Sequence, residues 1–224
     1  MDVTPLWISI IVASISTMIV AILGMSIAWW WHNKHGFVAR LLESVMMLPI
    51  VLPPTVLGFI LLIIFSPQYA FGRFLTETLH FPVIFTIFGA IIASVIVSFP
   101  LMYQHTVQGF RQIDHKMLNT ARTMGAGETK IFVKLMLPMS RRAILAGVTM
   151  AFARAIGEFG ATLMVAGYIP GKTNTLPLEI YFLVEQGREN QAWLWVIILV
   201  AFAVTVMGTL NMLNQNPGKR MKVK

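Results

Sequence analysis

Cysteine is absent from the 224-residue chain, and only 12% of its residues are charged. The missing cysteines exclude disulfides and thiolate metal sites, though they leave the compartment open. The missing charge excludes more. A soluble domain carries roughly 25% charged residues, and half that share leaves too little polar surface to cover a water-soluble globule. A cytosolic enzyme, a disordered chain and a secreted disulfide scaffold are ruled out. What fills the gap is apolar: 57% of the residues are hydrophobic, and the mean hydropathy is +0.74. Lipid must be the solvent for much of the chain, and residues 1–224 allow a single domain with no separate soluble module.

A helix needs about 20 mainly apolar residues to cross a hydrocarbon core of roughly 30 Å. Five stretches qualify: 6–31, 44–66, 81–102, 143–167 and 193–213. They are continuous runs rather than segments of about 10 alternating residues, which disfavours a β-barrel. The first ends in Trp29, Trp30 and Trp31, as at an interfacial aromatic belt. It lacks a basic leader and exceeds the roughly 7–15 apolar residues of a signal peptide, so it reads as a retained helix. Pro49, Pro53 and Pro54 interrupt the second. Broken helices at membrane depth are tolerated where the backbone lines a cavity or packs on protein. The predicted fold class is an all-α membrane protein, a polytopic bundle of about five transmembrane helices.

Basic residues set the orientation. Lys34 and Arg40 precede span two, and Arg111, Lys116, Arg122, Lys130, Lys134, Arg141 and Arg142 lie in segment 103–142. Lys219, Arg220, Lys222 and Lys224 sit in the tail, 214–224. The alternating loops 67–80 and 168–192 hold only Arg73, Lys172 and Arg188, against four glutamates. The positive-inside rule places the first set in the cytoplasm, with the N-terminus outside and the C-terminus inside. The formal net charge of +8 is therefore mostly an orientation signal and a match to anionic lipid. No nucleic-acid module accompanies it.

The cytoplasmic loop 103–142 is far longer than the usual connection of about 4–6 residues. Asp114 can cap a short helix over 115–124, with Met117, Leu118, Ala121 and Met124 on one face. Gly125 and Gly127 can end it and turn the chain. Glu128 opens a second short helix with an apolar face of Ile131, Phe132, Leu135 and Met136; Pro138 ends it, and Ser140 can cap span four. Two amphipathic helices around a glycine turn suit protein docking, but pattern alone serves equally a loop that lies on the bilayer or covers the end of the bundle.

The residues here carry a family resemblance. Asn119-Thr120-Ala121, then Gly125, Ala126, Leu135, Leu137 and Pro138, resemble the EAA loop of ABC importer permeases. That pattern is Glu-Ala-Ala, three residues, Gly, nine residues, an aliphatic, any residue, Leu-Pro. The spacing matches throughout; Asn119 and Thr120 replace the Glu and the first Ala. The resemblance implies a type I importer permease in which this coupling loop seats in a groove on a separate ATP-binding subunit.

Span four carries Arg154 and Glu158 inside apolar sequence. Isolated charges at such depth cost about 2.5–3.5 kcal/mol each, so they must face the bundle or a water-filled path. Being four apart they can pair. A buried packing pair and direct contact with a permeating anion both remain open. From Gly157 through Gly167, and on through Ile169-Pro170-Gly171-Lys172-Thr173 and Thr175-Leu176-Pro177-Leu178, the sequence is similar to the molybdate permease subgroup. Span two adds Leu48-Pro49-Ile50-Val51-Leu52-Pro53-Pro54-Thr55-Val56 and Gly58. Sulfate permeases share the Arg-Ala-x-Gly-Glu-Phe-Gly core and diverge after it. Thr55, Gly58, Ser94, Ser98 and Thr162 join Arg154 and Glu158 as candidates for the translocation path.

Two tempting sites are rejected. Residues 166–173 fit a loose phosphate-binding-loop pattern, but no strand precedes them, Pro170 has no N–H, and the orientation rule puts them outside. His32, His35, His80, His105 and His115 are scattered without carboxylates on a shared face, so no metal or other cofactor is expected. A partner-independent secondary transporter would show more intramembrane charge and internal repeats; an intramembrane enzyme would show convergent His, Asp or Ser around a nucleophile. Neither pattern is present. No C-terminal regulatory domain is expected beyond span five. The resemblance implies a homodimer with two cytoplasmic ATP-binding subunits and an extracytoplasmic binding protein for a tetrahedral oxyanion. Molybdate or tungstate is expected, with sulfate or thiosulfate as the alternative. The chain itself hydrolyses nothing.

Overall fold

The structure, a computed structural model, describes residues 3–34 and 36–214. His35 and the basic residues of the tail lie outside the described residues. Three apolar runs become long helices, one of which keeps Pro100 inside it. Helix α1 spans Thr4–Trp31, α5 spans Ile87–Arg111 and α12 spans Glu189–Asn214. α1 starts with Pro5 in its first turn, where a missing N–H costs nothing. Its 28 residues extend about 42 Å at the standard rise, well beyond the thickness of a hydrocarbon core.

The two other apolar stretches are broken. α2 (Phe37–Val51) and α3 (Pro54–Phe65) meet at 112°, and α9 (Arg141–Ile156) and α10 (Gly160–Ala166) at 59°. Each pair is long and apolar enough to cross a membrane only when taken together. The first break follows from proline sterics. A residue before proline is driven out of the helical region, and Leu52 and Pro53 are both extended, with ψ of 138° and 137°. Pro49 breaks nothing; it stays inside α2. The second break falls at Gly157–Phe159.

α5 is the axis of the bundle. It packs against α1, α9, α10 and α2 and buries small residues such as Ala90, Ala93, Ser94 and Ser98. Buried hydroxyls close backbone bonds: Ser16 Oγ donates to Ile91 O at 3.1 Å, and Ser98 Oγ to Ser94 O at 2.6 Å. Hydropathy placed this helix too early, at 81–102. Pro82 and the left-handed Phe85 (φ 58°) keep 81–86 out of it. Its polar end, including Thr106, continues to Arg111 because those side chains pack inward.

Both loops on the other side contain helix. Within 67–80, α4 (Ala70–Arg73) continues as a π-helical turn, Phe74–Thr78. Within 168–192, α11 (Leu176–Glu185) buries Leu176, Leu178 and Leu183. Its first turn is tied to α1, where Leu176 N–H donates to Ser9 Oγ at 2.6 Å.

α3 and α10 lie side by side because each offers a glycine at the crossing. A Cβ on Gly58 would come 2.8 Å from Ala161 Cα, and one on Gly160 would come 2.9 Å from Pro54 Cβ. Gly58→Val should therefore force the two half-helices apart, at a cost of about 1–3 kcal/mol for an overpacked core. Thermal unfolding in detergent should show a lower midpoint for this variant than for Thr55→Val, which sits on an exposed face.

Candidate functional site: a docking loop and two broken helices

The loop between α5 and α9 is a folded unit. Asp114 accepts a hydrogen bond from Lys116 N–H at 2.8 Å and caps α6 (His115–Thr123). The helix ends in a tight reversal: Gly125 N–H donates to Arg122 O at 2.9 Å and Ala126 N–H to Ala121 O at 3.0 Å. Gly125 holds φ +81° there, a conformation that costs other residues roughly 1–2 kcal/mol. The chain then enters α7 (Glu128–Ile131), a π-helical turn at Phe132–Met136, and α8 (Leu137–Met139).

A clasp closes the reversal. Arg122 donates to Glu128 from Nε at 2.6 Å and from Nη2 at 3.1 Å, and its Nη1 donates to Asn119 Oδ1 at 2.9 Å. Hydrogen bonding to the guanidinium holds the Glu128 carboxyl below its ordinary range. Its contribution is thus present at neutral pH and lost as pH falls through that lowered value. The sequence displayed both charges, but six residues and a turn separate them, so no helical spacing rule links them.

The inward face of this unit seats on the bundle. Leu118, Ile131 and Met136 are buried in one cluster with Tyr103, Val107 and Phe110 of α5 and Ala28 of α1; Ala121, Ala126, Leu135 and Leu137 pack against it. Three expectations change here. Met117 and Met124, expected on the buried face of α6, are 45% and 82% exposed, because they lie at the edge of the apolar stripe that Leu118 and Ala121 turn inward. Pro138 does not end the second helix, which runs to Met139; the wider π turn before it moves the carbonyl that the ring would strike. Ser140 makes no capping bond, since its backbone (φ −91°, ψ 5°) is not extended as a cap requires.

Arg154 and Glu158 do pair, at 2.6 Å, but not along one helix. Arg154 lies in α9 and Glu158 in the break that follows it. The Glu158 side chain is 1% exposed and that of Arg154 31%. Glu158 Oε1 also accepts from Ala161 N–H at 2.8 Å, so one carboxylate holds the guanidinium and a free N–H of the α10 first turn. Among the other path candidates, Thr55 is exposed at the start of α3, while Gly58, Ser94, Ser98 and Thr162 are buried.

Beyond α10, the stretch with the phosphate-loop pattern is a self-bonded turn. Ile169 N–H donates to Thr173 Oγ1 at 3.0 Å, Thr173 Oγ1 donates to Gly167 O at 2.9 Å, and Gly171 N–H donates to Asn174 Oδ1 at 2.8 Å. Those two N–H groups are thus committed within the loop.

The fold is an all-α bundle with two broken helices and a seated amphipathic loop. The chain belongs to the family of binding-protein-dependent transport system inner membrane components, which matches residues 20–217. Several of its relatives are named as molybdenum transport system permeases. Over 195 residues it is 35% identical to the molybdenum transport system permease protein ModB of Azotobacter vinelandii, covering 86% of each chain. It is 32% identical over 225 residues to ModB of Haemophilus influenzae, covering 100% of this chain and 96% of that one. It is also 42% identical over 204 residues to YvgM of Bacillus subtilis, covering 91% and 90%. In fold it resembles a bacterial ABC transporter involved in the import of the acidic polysaccharide alginate, with TM-score 0.74 at 13% identity over 94% of this chain and 78% of that one. A second structure of the alginate transporter, in complex with an alginate-bound periplasmic protein, gives TM-score 0.73 at 13% identity over 95% and 78%.

The dual role of Glu158 predicts an order of stability. Glu158→Gln keeps an acceptor for Ala161 N–H and loses the ion pair; Glu158→Ala loses both. Glu158→Ala should be the less stable by about 1 kcal/mol, the usual worth of a helix cap. Unfolding midpoints of the purified variants measure the difference, and equal midpoints would remove the capping role.

Proposed function

We propose that this chain is the membrane-spanning subunit of an ATP-driven importer that carries molybdate, or its congener tungstate, into the cell. The cargo rests on the molybdenum permeases among its relatives. Two copies form the pore, two ATP-binding subunits grip the docking loops from the cytoplasm, and an extracytoplasmic binding protein delivers the oxyanion. The transporter with a bound periplasmic protein, among the structures of like fold, supports the last of these. ATP is hydrolysed in the partner subunits, not in this chain.

Each bent helix pair counts as one crossing, which gives five in all, with the N-terminus outside and loop 103–142 inside, as the basic residues require. The observation that carries the docking role is the outward face of the loop. Met117, Met124, Val133 and Met139 are all exposed, on a segment whose inward face is already satisfied by the bundle. Apolar groups left in water beside Asn119, Thr120 and Arg122 suit a partner groove, and methionine adapts well to such contacts.

The broken helices supply the path. α3 and α10 begin at the two breaks, and interrupted helices at membrane depth are found where backbone lines a cavity or packs on protein. Thr55 and Arg154 present accessible surface there, with Gly58, Ser94, Ser98, Glu158 and Thr162 behind them. Glu158 offsets the charge of Arg154, so the path attracts an oxyanion without trapping it. Closure of the ATP-binding subunits moves the docking loops and exchanges inward for outward opening, since each state has its own contacts.

Two experiments test this reading. Gly125→Val should insert normally, because open space surrounds the position, yet abolish ATP-driven uptake by straining the turn. Normal uptake in that variant would sink the docking role. In a strain deleted for the gene, radiolabelled molybdate uptake should fall while sulfate uptake holds; unchanged molybdate uptake would remove the cargo.

A further inference from the structure

Four aromatic rings join the docking loop to the ends of two membrane helices. Trp29, in the last turn of α1, stacks on Phe132 with centroids 4.6 Å apart and planes at 28°. Phe132 meets Phe110 of α5 edge-on at 6.1 Å, and Phe110 meets His32, just past α1, at 6.0 Å. His32 is itself fixed, with Nδ1 2.6 Å from Trp29 O and its backbone N–H bonded to Ala28 O at 2.9 Å.

Phe132 begins the π-helical turn of the loop. Such turns insert one extra residue per turn and recur at functional positions. The ring therefore sits where the docking unit meets both α1 and α5. α1 is tied to the opposite side of the bundle by Ser9 and Ser16. Packed aromatic contacts behave as discrete joints rather than soft ones, because close-packed interiors transmit displacement.

We propose that the Trp29–Phe132 stack is the joint through which movement of the docking loop is passed to α1, so that α1 and α5 shift together when the ATP-binding subunits close. Trp29 is a positioning residue. It touches neither substrate nor nucleotide and acts through Phe132. The inference rests on the docking role proposed above.

The test uses the complete transporter, with its ATP-binding subunit and binding protein, in proteoliposomes, and reads radiolabelled molybdate imported per ATP hydrolysed. Trp29→Ala should leave co-purification intact and hydrolysis within about twofold, while transport per ATP falls at least tenfold. Trp29→Phe, which keeps a ring for Phe132, should restore the ratio to within about twofold. An unchanged ratio in an assembled Trp29→Ala transporter would overturn the joint alone. So would a parallel loss of hydrolysis and uptake in that assembled variant. Failure of the unaltered chain to co-purify with ATP-binding subunits would overturn the docking role and the joint with it.

Should Trp29→Ala not assemble, the absence of native cysteine provides a second route. The double variant Trp29→Cys, Phe132→Cys should be uncoupled, and a short bifunctional thiol reagent that bridges the two positions should restore transport per ATP. Bridging without recovery would show that the two positions need not move as one, and would reject the joint.

Discussion

A helix broken inside a membrane leaves N–H and C=O groups that lipid cannot satisfy, each at a cost of several kcal/mol. This chain breaks two helices and must answer that demand with its own atoms. At the α9–α10 break the answer is Glu158, which accepts from Ala161 N–H and holds Arg154. The ion pair and the break are thus one feature. The charge that would be expensive alone is the group that makes the interruption tolerable, and the interruption brings the start of a half-helix to membrane depth.

The rest of the architecture arranges itself around the two breaks. α10 is wedged between α3 and α5, with Leu57, Leu61, Ala93, Val97, Ala161 and Val165 sharing one buried cluster. Gly58 and Gly160 let the half-helices pack in close contact. α5, buried along much of its length, links this cluster to the one beneath the α6–α8 loop. A displacement at the loop therefore has a continuous packed route to the broken helices, without any side chain needing to reach across the bundle.

The loop between α5 and α9 divides its apolar residues between two environments. Leu118, Ile131 and Met136 hold it on the bundle, while Met117, Met124, Val133 and Met139 face away. Hydrophobic periodicity cannot separate these groups, because adjacent positions on one stripe differ by only part of a helical turn. The Arg122–Glu128 clasp was illegible for a related reason: it closes across a reversal whose geometry depends on the positive φ of Gly125. Asn119 is drawn into the same clasp.

Composition and local chemistry by themselves determined that the chain is an all-α membrane protein, which stretches are apolar enough to cross, that proline would interrupt the second of them, and that Asp114 and Gly125 would bound a short helix. These follow from forces acting over a few residues: burial of apolar runs, ring sterics, capping and glycine's conformational freedom. Only the tertiary structure decided that Pro49 is tolerated while Pro53 and Pro54 turn the chain, that the helix stops between Arg154 and its partner Glu158, and that Phe132 lies between Trp29 and Phe110. The last depends on residues far apart in sequence converging on one place, and periodicity carries no information about what lies on the other side of a helix.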